Sequence, residues 1–176
     1  FAASALTLAG KPVVADTSAT INGEAKTGKM VTFTFAPYEF KGVTYTISEV
    51  IVMYNGDHFM RKYMEIEVSD KTAAIDYIDL ESLKVNADDE TWTIPHVGGI
   101  VQMSEFKANL GQPIYIQGMF FGCEFPETDN RIEDGTGHLR YYTGKNFDRF
   151  EADNQLTVDG KYVTWQTVAG AARSTD

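Results

Sequence analysis

The chain has 176 residues, with 25 acids against 15 bases, a formal net charge of -10, one cysteine and 43% hydrophobic residues. That length suits one domain with a core large enough to fold unaided, and the lone cysteine excludes an internal disulfide and a zinc ribbon. The acidity argues against a nucleic-acid partner, whose phosphates demand a basic face, and no apolar run approaches the ~20 residues of a membrane span.

Val, Ile and Thr supply 42 residues and the aromatics 22, whereas Leu occurs only 7 times. β-branched and aromatic side chains fit a pleated surface, and Leu is the usual filler of helical cores. The composition predicts a mostly β protein.

Residues 1–29 are small and polar and read as an N-terminal extension or edge segment. They lack the charged start and longer apolar run of a signal peptide. With no initiator Met and a linker-like 173–176, the chain is expected to be part of a longer protein. Residues 30–172 are predicted to form the β-sandwich domain. Strands are expected from Met30 to Phe35, with Val31, Phe33 and Phe35 on one face, and from Val43 to Ile47. Val50 to Tyr54 reads as a strand buried on both faces. Asn55-Gly56-Asp57 predicts a hairpin into a strand over Phe59 to Val68, with Met64, Ile66 and Val68 inward. Ile75 to Val85 is ambiguous between helix and strand, and a strand from Ala74 to Leu80 is favoured. An acidic loop over Asn86 to Glu90, a short strand at Trp92-Thr93-Ile94 and a helical turn within Gln102 to Leu110 follow. Further strands are predicted over Pro113 to Phe121, Leu139 to Thr143 and Tyr162 to Val168. About ten strands at short intervals suit an antiparallel β-sandwich or barrel.

The chain has no GxSxG elbow, phosphate loop or dinucleotide fingerprint, and no histidine pair at metal-ligand spacing. Cys123 lies in an apolar-aromatic stretch and reads as a buried, inert thiol. The densest polar constellation runs from Glu124 to Tyr142, and its acidic part, around Glu124 to Gly137, is read as a long loop. Its acids Glu124, Glu127, Asp129, Glu133 and Asp134 admit three readings. Two carboxylates could work on a glycosidic bond, several oxygens could hold calcium although the spacing differs from the twelve-residue calcium loop, or the acids solvate the loop and pair with Arg131 and Arg140. Candidate ligand-binding residues are Glu124, Asp129, Arg131, His138, Arg140 and Tyr142. No catalytic residue or metal ligand is assigned, and no cofactor is expected apart from the calcium option. Aromatic faces stack on sugar rings, but adjacent strand residues point to opposite faces. Tyr141 and Tyr142 therefore cannot both line one surface, and one of them belongs to the core. Trp92 and Trp165 are expected in the core.

The stretch from Gly111-Gln112-Pro113 through Phe120-Phe121-Gly122-Cys123-Glu124-Phe125-Pro126 resembles a segment in the β-supersandwich domain of large bacterial glycosidases, those similar to endo-α-N-acetylgalactosaminidases. Arg140-Tyr141-Tyr142-Thr143-Gly144-Lys145 and Tyr162 to Ala172 look like continuations of it. The specific part covers about 35 residues. The resemblance implies a galactose-mutarotase-like sandwich, whole or part, beside a catalytic barrel that carries the family's catalytic carboxylates, so none is carried over here.

The resulting expectation is a non-catalytic β-sandwich domain of a secreted or cell-surface glycoside hydrolase. Its partners would be carbohydrate and the adjacent catalytic domain, with no nucleic acid and no membrane span. An independent carbohydrate-binding module is the alternative. A sugar epimerase using Glu124 with His138 or His96, or an adhesion domain, are further readings.

Overall fold

The computed structural model describes residues 1–73, 75, 77–84, 91–93, 111–116, 118–125, 128–142, 157–158 and 160–171. The expected helical turn within Gln102 to Leu110, the loop over Asn86 to Glu90, His96 and Glu127 lie outside them. The described chain is mostly β and its sheets are antiparallel. The one helical element among the described residues is a 3-10 turn at Ala3–Ala5. Among these residues no helix is long and apolar enough to cross a membrane.

Two compact units divide the chain. The first, Phe1–Ala74 with Leu156–Thr164, holds β1 (Val13–Ile21), β2 (Glu24–Thr34), β3 (Tyr38–Phe40), β4 (Val43–Tyr54), β5 (Phe59–Val68), β12 (Thr157–Val158) and β13 (Lys161–Val163). Its sheet runs β1-β2-β4-β5, with β3 also paired to β4 and β13 to β5. Ile47, Val50, Val52, Ile66, Val68 and Tyr162 are its buried apolar residues. The second unit, Ile75–Gln155 with Trp165–Asp176, holds β6 (Tyr77–Lys84), β7 (Thr91–Thr93), β8 (Ile114–Ile116), β9 (Met119–Cys123), β10 (Asp129–Glu133), β11 (Thr136–Tyr142) and β14 (Thr167–Ala171). Here β14-β9-β8-β7 forms one ladder and β10-β11-β6 a separate three-stranded sheet. Leu80, Ile114, Phe121, Leu139, Tyr141 and Ala169 are this unit's buried apolar residues, and β10 and β11 touch β7, β8 and β9. The contact is close: a Cβ on Gly137 of β11 would sit 3.4 Å from the Ile114 side chain.

Three hairpins close on two-residue turns, Asn22-Gly23, Lys41-Gly42 and Asp134-Gly135, with positive φ at both positions of each. This is the type I′ geometry whose twist matches paired strands, and glycine takes its second position without steric cost. Strands therefore begin well before Met30: the polar N-terminal residues form β1 and the start of β2, with β1 at the sheet edge. Asn55-Gly56 joins β4 to β5 as the sequence predicts, and Ile66 and Val68 are buried while Glu65 and Glu67 are exposed. The two runs over Val43 to Tyr54 are one strand. Its apolar end alternates rather than burying both faces, since Val50 and Val52 are buried and Met53 is exposed. The expected strand over Pro113 to Phe121 divides into β8 and β9, and Tyr162 to Val168 divides into β13 and β14.

Gly28, in the middle of β2, lies opposite Tyr54 of β4. A Cβ there would fall 2.2 Å from the Met53 carbonyl oxygen, a clash with backbone that no rotamer relieves. Gly28→Ala is expected to cost about 2–3 kcal/mol, read as a lower urea midpoint. Gly10→Ala, with nothing within 4 Å of the added methyl, should leave the midpoint within error.

Candidate functional site

The acidic stretch expected as a loop instead forms a hairpin, β10, the Asp134-Gly135 turn and β11, whose second strand includes the strand expected from Leu139. The turn sets Glu133 opposite Thr136, Arg131 opposite His138 and Asp129 opposite Arg140. Alternation then sends Asp129, Arg131, Glu133, His138 and Arg140 to one face. Leu139 and Tyr141 point the other way and are buried in the core. That settles the tyrosine pair as the alternation argument requires: Tyr141 is core. Tyr142 pairs with Tyr77 in the ladder, and its side chain is outside the description.

β6 completes the face from the other side of β11. Between Leu139 and Arg140 the register shifts, so Leu139 pairs with Glu81 and Arg140 with Asp79, leaving Leu80 as the extra residue of a β-bulge. Arg140 donates to Asp79 through Nε at 2.6 Å and Nη2 at 3.0 Å, a bidentate pair. Its guanidinium also lies 4.0 Å from the centre of the Tyr77 ring. His138 Nδ1 stands 3.4 Å from the same Asp79 carboxylate. Arg131 Nη2 reaches Asp129 Oδ2 at 2.9 Å, with Glu133 3.7 Å from Nε. Asp79 and Tyr77 were not among the sequence candidates. The signal for Asp79 was its place between Ile78 and Leu80: if those face inward on a strand, Asp79 faces outward with the basic residues.

Charges are matched on this face, but directional hydrogen bonds are not. Asp129 Oδ2, Arg131 Nε and His138 Nδ1 are buried atoms without a hydrogen-bond partner. Buried polar atoms are nearly always bonded, and each one that is not represents unused capacity. Burial pushes the Asp129 carboxyl above its ordinary value, against the pull of Arg131 and Arg140. The cluster around Asp57 in the first unit provides the contrast. There Lys26 and Arg61 donate to the two carboxylate oxygens, and these bonds, the one from Lys26 foremost, hold Asp57 below the usual carboxylate range. Arg61 stacks 4.6 Å from the Phe59 ring. That cluster locks a hairpin, whereas the face on β6, β10 and β11 leaves three buried atoms in ion pairs without a hydrogen bond, and Asn130 Oδ1 on the opposite face is a fourth such atom.

Glu124 is on the other ladder, exposed on the bend after β9, where its N–H donates to the Gln166 carbonyl. The candidates therefore divide, with Asp129, Arg131, His138 and Arg140 on one face and Glu124 at the end of β9. Gly111 and Gln112 tie to the start of the polar hairpin. Gly111 donates to Thr128 O, and the fully buried Asn130 donates through Nδ2 to Gln112 O at 2.7 Å. Phe125 stacks on Trp165 at 4.9 Å and meets Tyr141 edge-on. Trp165, expected in the core, keeps more than a third of its surface exposed. Burial raises the Cys123 thiol to about 12. Among the described residues no group of three or more His, Cys, Asp or Glu side chains gathers as a metal would require.

The fold and this face define an antiparallel β protein with a half-buried, charge-matched polar strip. No protein-family model, curated protein or solved structure matches the chain.

Two outcomes follow from these environments. A carboxyl whose folded value is raised favours folding below its ordinary value near 3.8 and loses that contribution as pH rises through the raised value. Asp129→Asn should therefore gain stability relative to the parent as pH climbs from about 4 to 7, checked by urea melts at each pH. At pH 8 only about one Cys123 in ten thousand carries thiolate. Iodoacetamide labelling of the folded chain should then be slower by about a thousandfold or more than after unfolding in urea.

Proposed function

We propose that the chain is a non-catalytic β-sandwich domain of a secreted or cell-surface glycoside hydrolase, and that the polar face on β6, β10 and β11 contacts the glycan. The observation that carries this reading is that three of the four buried, unbonded polar atoms among the described residues, Asp129 Oδ2, Arg131 Nε and His138 Nδ1, lie on one sheet face, where a side-chain rotation would turn them to a ligand. One acceptor, one donor and one imidazole nitrogen suit a ligand that both gives and takes hydrogen bonds through hydroxyls. Tyr77, 45% exposed beside them, supplies the apolar surface that a sugar ring's C–H groups seek. Asp79 and Arg140, locked by their bidentate pair, act as a rigid support. The sequence resemblance to bacterial glycosidases supports the same reading. A recognition role rather than turnover is favoured by the thiol at about 12 and by carboxylates held by guanidiniums.

Glycan-array screening of the whole chain, followed by calorimetric titration of the best glycan, tests the proposal. Arg131→Ala and His138→Ala should each weaken binding about tenfold, as the loss of one buried hydrogen bond predicts. Trp165→Ala, in the link before β14 and off this face, should leave it unchanged. No binding to any glycan, or binding indifferent to both substitutions on the face, would overturn the sugar-contact role.

A further inference from the structure

A second feature, independent of the charged face, lies at the edge of the first unit. Among the described residues β1 pairs with β2 alone, and none of them bonds the N–H and C=O groups on the other side of this nine-residue strand. Natural proteins blunt such edges with charges, prolines or bulges. The three-stranded sheet does so: its edge β10 carries Asp129, Arg131 and Glu133, and its other edge β6 carries Asp79, Glu81 and Lys84. β1 has no proline and no bulge, and it carries a single charge. Its register with β2 runs from Val13↔Thr32 to Ile21↔Glu24 without a shift, and no proline interrupts it. Its one charge, Asp16, is answered within the chain by Lys29 directly opposite. At its start Val13 and Val14 are 64% and 65% exposed.

We infer that the free edge of β1 pairs antiparallel with β1 of a second copy of this chain, about a twofold axis at Thr17. The strand is complementary to itself in this register. Val13 meets Ile21 of the second copy, Val14 meets Thr20, Ala15 meets Ala19, and Asp16 meets Ser18. Opposed residues share a face, so the half-buried positions Ala15, Thr17, Ala19 and Ile21 continue one surface across both copies. A slip of one residue would join half-buried positions to exposed ones. The neighbouring register of the right parity, centred on Asp16, sets Asp16 against Asp16, and like charges directly opposed are unfavourable. The one centred on Ser18 leaves Val13 and Val14 unpaired. One strand pair is a small interface, so the dimer is weak and transient. With -10 on each copy, salt screens the repulsion and strengthens the association.

Sedimentation of the whole chain over a concentration series, at about 0.1 and 0.5 M salt, tests this. The average mass should rise with concentration from monomer toward dimer, and further at the higher salt. Ser18→Lys sets each new lysine opposite Asp16 of the other copy and should tighten the dimer about fivefold. In the register centred on Ser18 it would oppose lysine to lysine and loosen it. Thr17→Lys opposes two lysines at the axis and should weaken association about tenfold or more. Thermal melts confirm that each variant folds, and Ser18→Lys, at an exposed position, decides the matter if Thr17→Lys does not. A monomer at every concentration and salt, a dimer indifferent to both substitutions, or one loosened by Ser18→Lys would overturn the proposal.

Discussion

Register is the constraint on which everything else rests. In a strand the side chains alternate, so a slip of one residue sends the core to the surface and the charges to the core. The two-residue turns at Asn22-Gly23, Lys41-Gly42 and Asp134-Gly135 remove that freedom, because each admits a single pairing of the strands it joins. The Asp134-Gly135 turn has the widest effect. By placing Glu133 against Thr136 it decides at once that Leu139 and Tyr141 are buried and that Arg131, His138 and Arg140 share the opposite face with Asp129.

The chain uses charge in two ways. Around Asp57, two cations satisfy both carboxylate oxygens and an arginine rests on aromatic rings, which fixes one end of the β4–β5 hairpin. Around Asp79 the same ingredients recur, with a carboxylate, a bidentate arginine and a tyrosine ring beneath it. Here, however, the neighbouring groups are left incompletely bonded. A half-bonded, half-buried polar face weakens the fold relative to a closed network. That asymmetry in bonding is what separates the two clusters.

Much of the fold was legible in the sequence, where local chemistry decides it. The β-branched and aromatic composition gave the class, Asn55-Gly56 gave the β4–β5 hairpin, and the adjacency of Tyr141 and Tyr142 required one of them to be core. Asn22-Gly23 carries the same turn signal as Asn55-Gly56, but the small residues of β1 obscured it because Ala, Ser and Thr show little hydrophobic alternation. The candidate face was half legible. Asp129, Arg131, His138 and Arg140 lie within one hairpin, and their grouping is local. Asp79 and Tyr77 join them only because β6 pairs with β11 some sixty residues later, a non-local choice that spacing does not encode. The segment over Ile75 to Val85 looked ambiguous for a related reason, since a bulge at Leu80 breaks the period of two.

That bulge has a consequence of its own. Asp79 and Glu81 stand two apart and would ordinarily point the same way, yet Asp79 holds Arg140 on the polar face while Glu81 accepts from the Thr167 hydroxyl, whose residue is buried. One surplus residue thus gives two acids of a single strand opposite destinations. The arrangement tolerates changes of residue type better than changes of chain length. Removing a residue beside the bulge, such as Ser82, would take Leu80 into the ladder and bring both acids to one side, whereas removing Leu80 itself would leave them adjacent and still opposed. In this part of the molecule spacing matters more than residue identity, and divergence among related chains should proceed by substitution while insertions and deletions are kept to the turns.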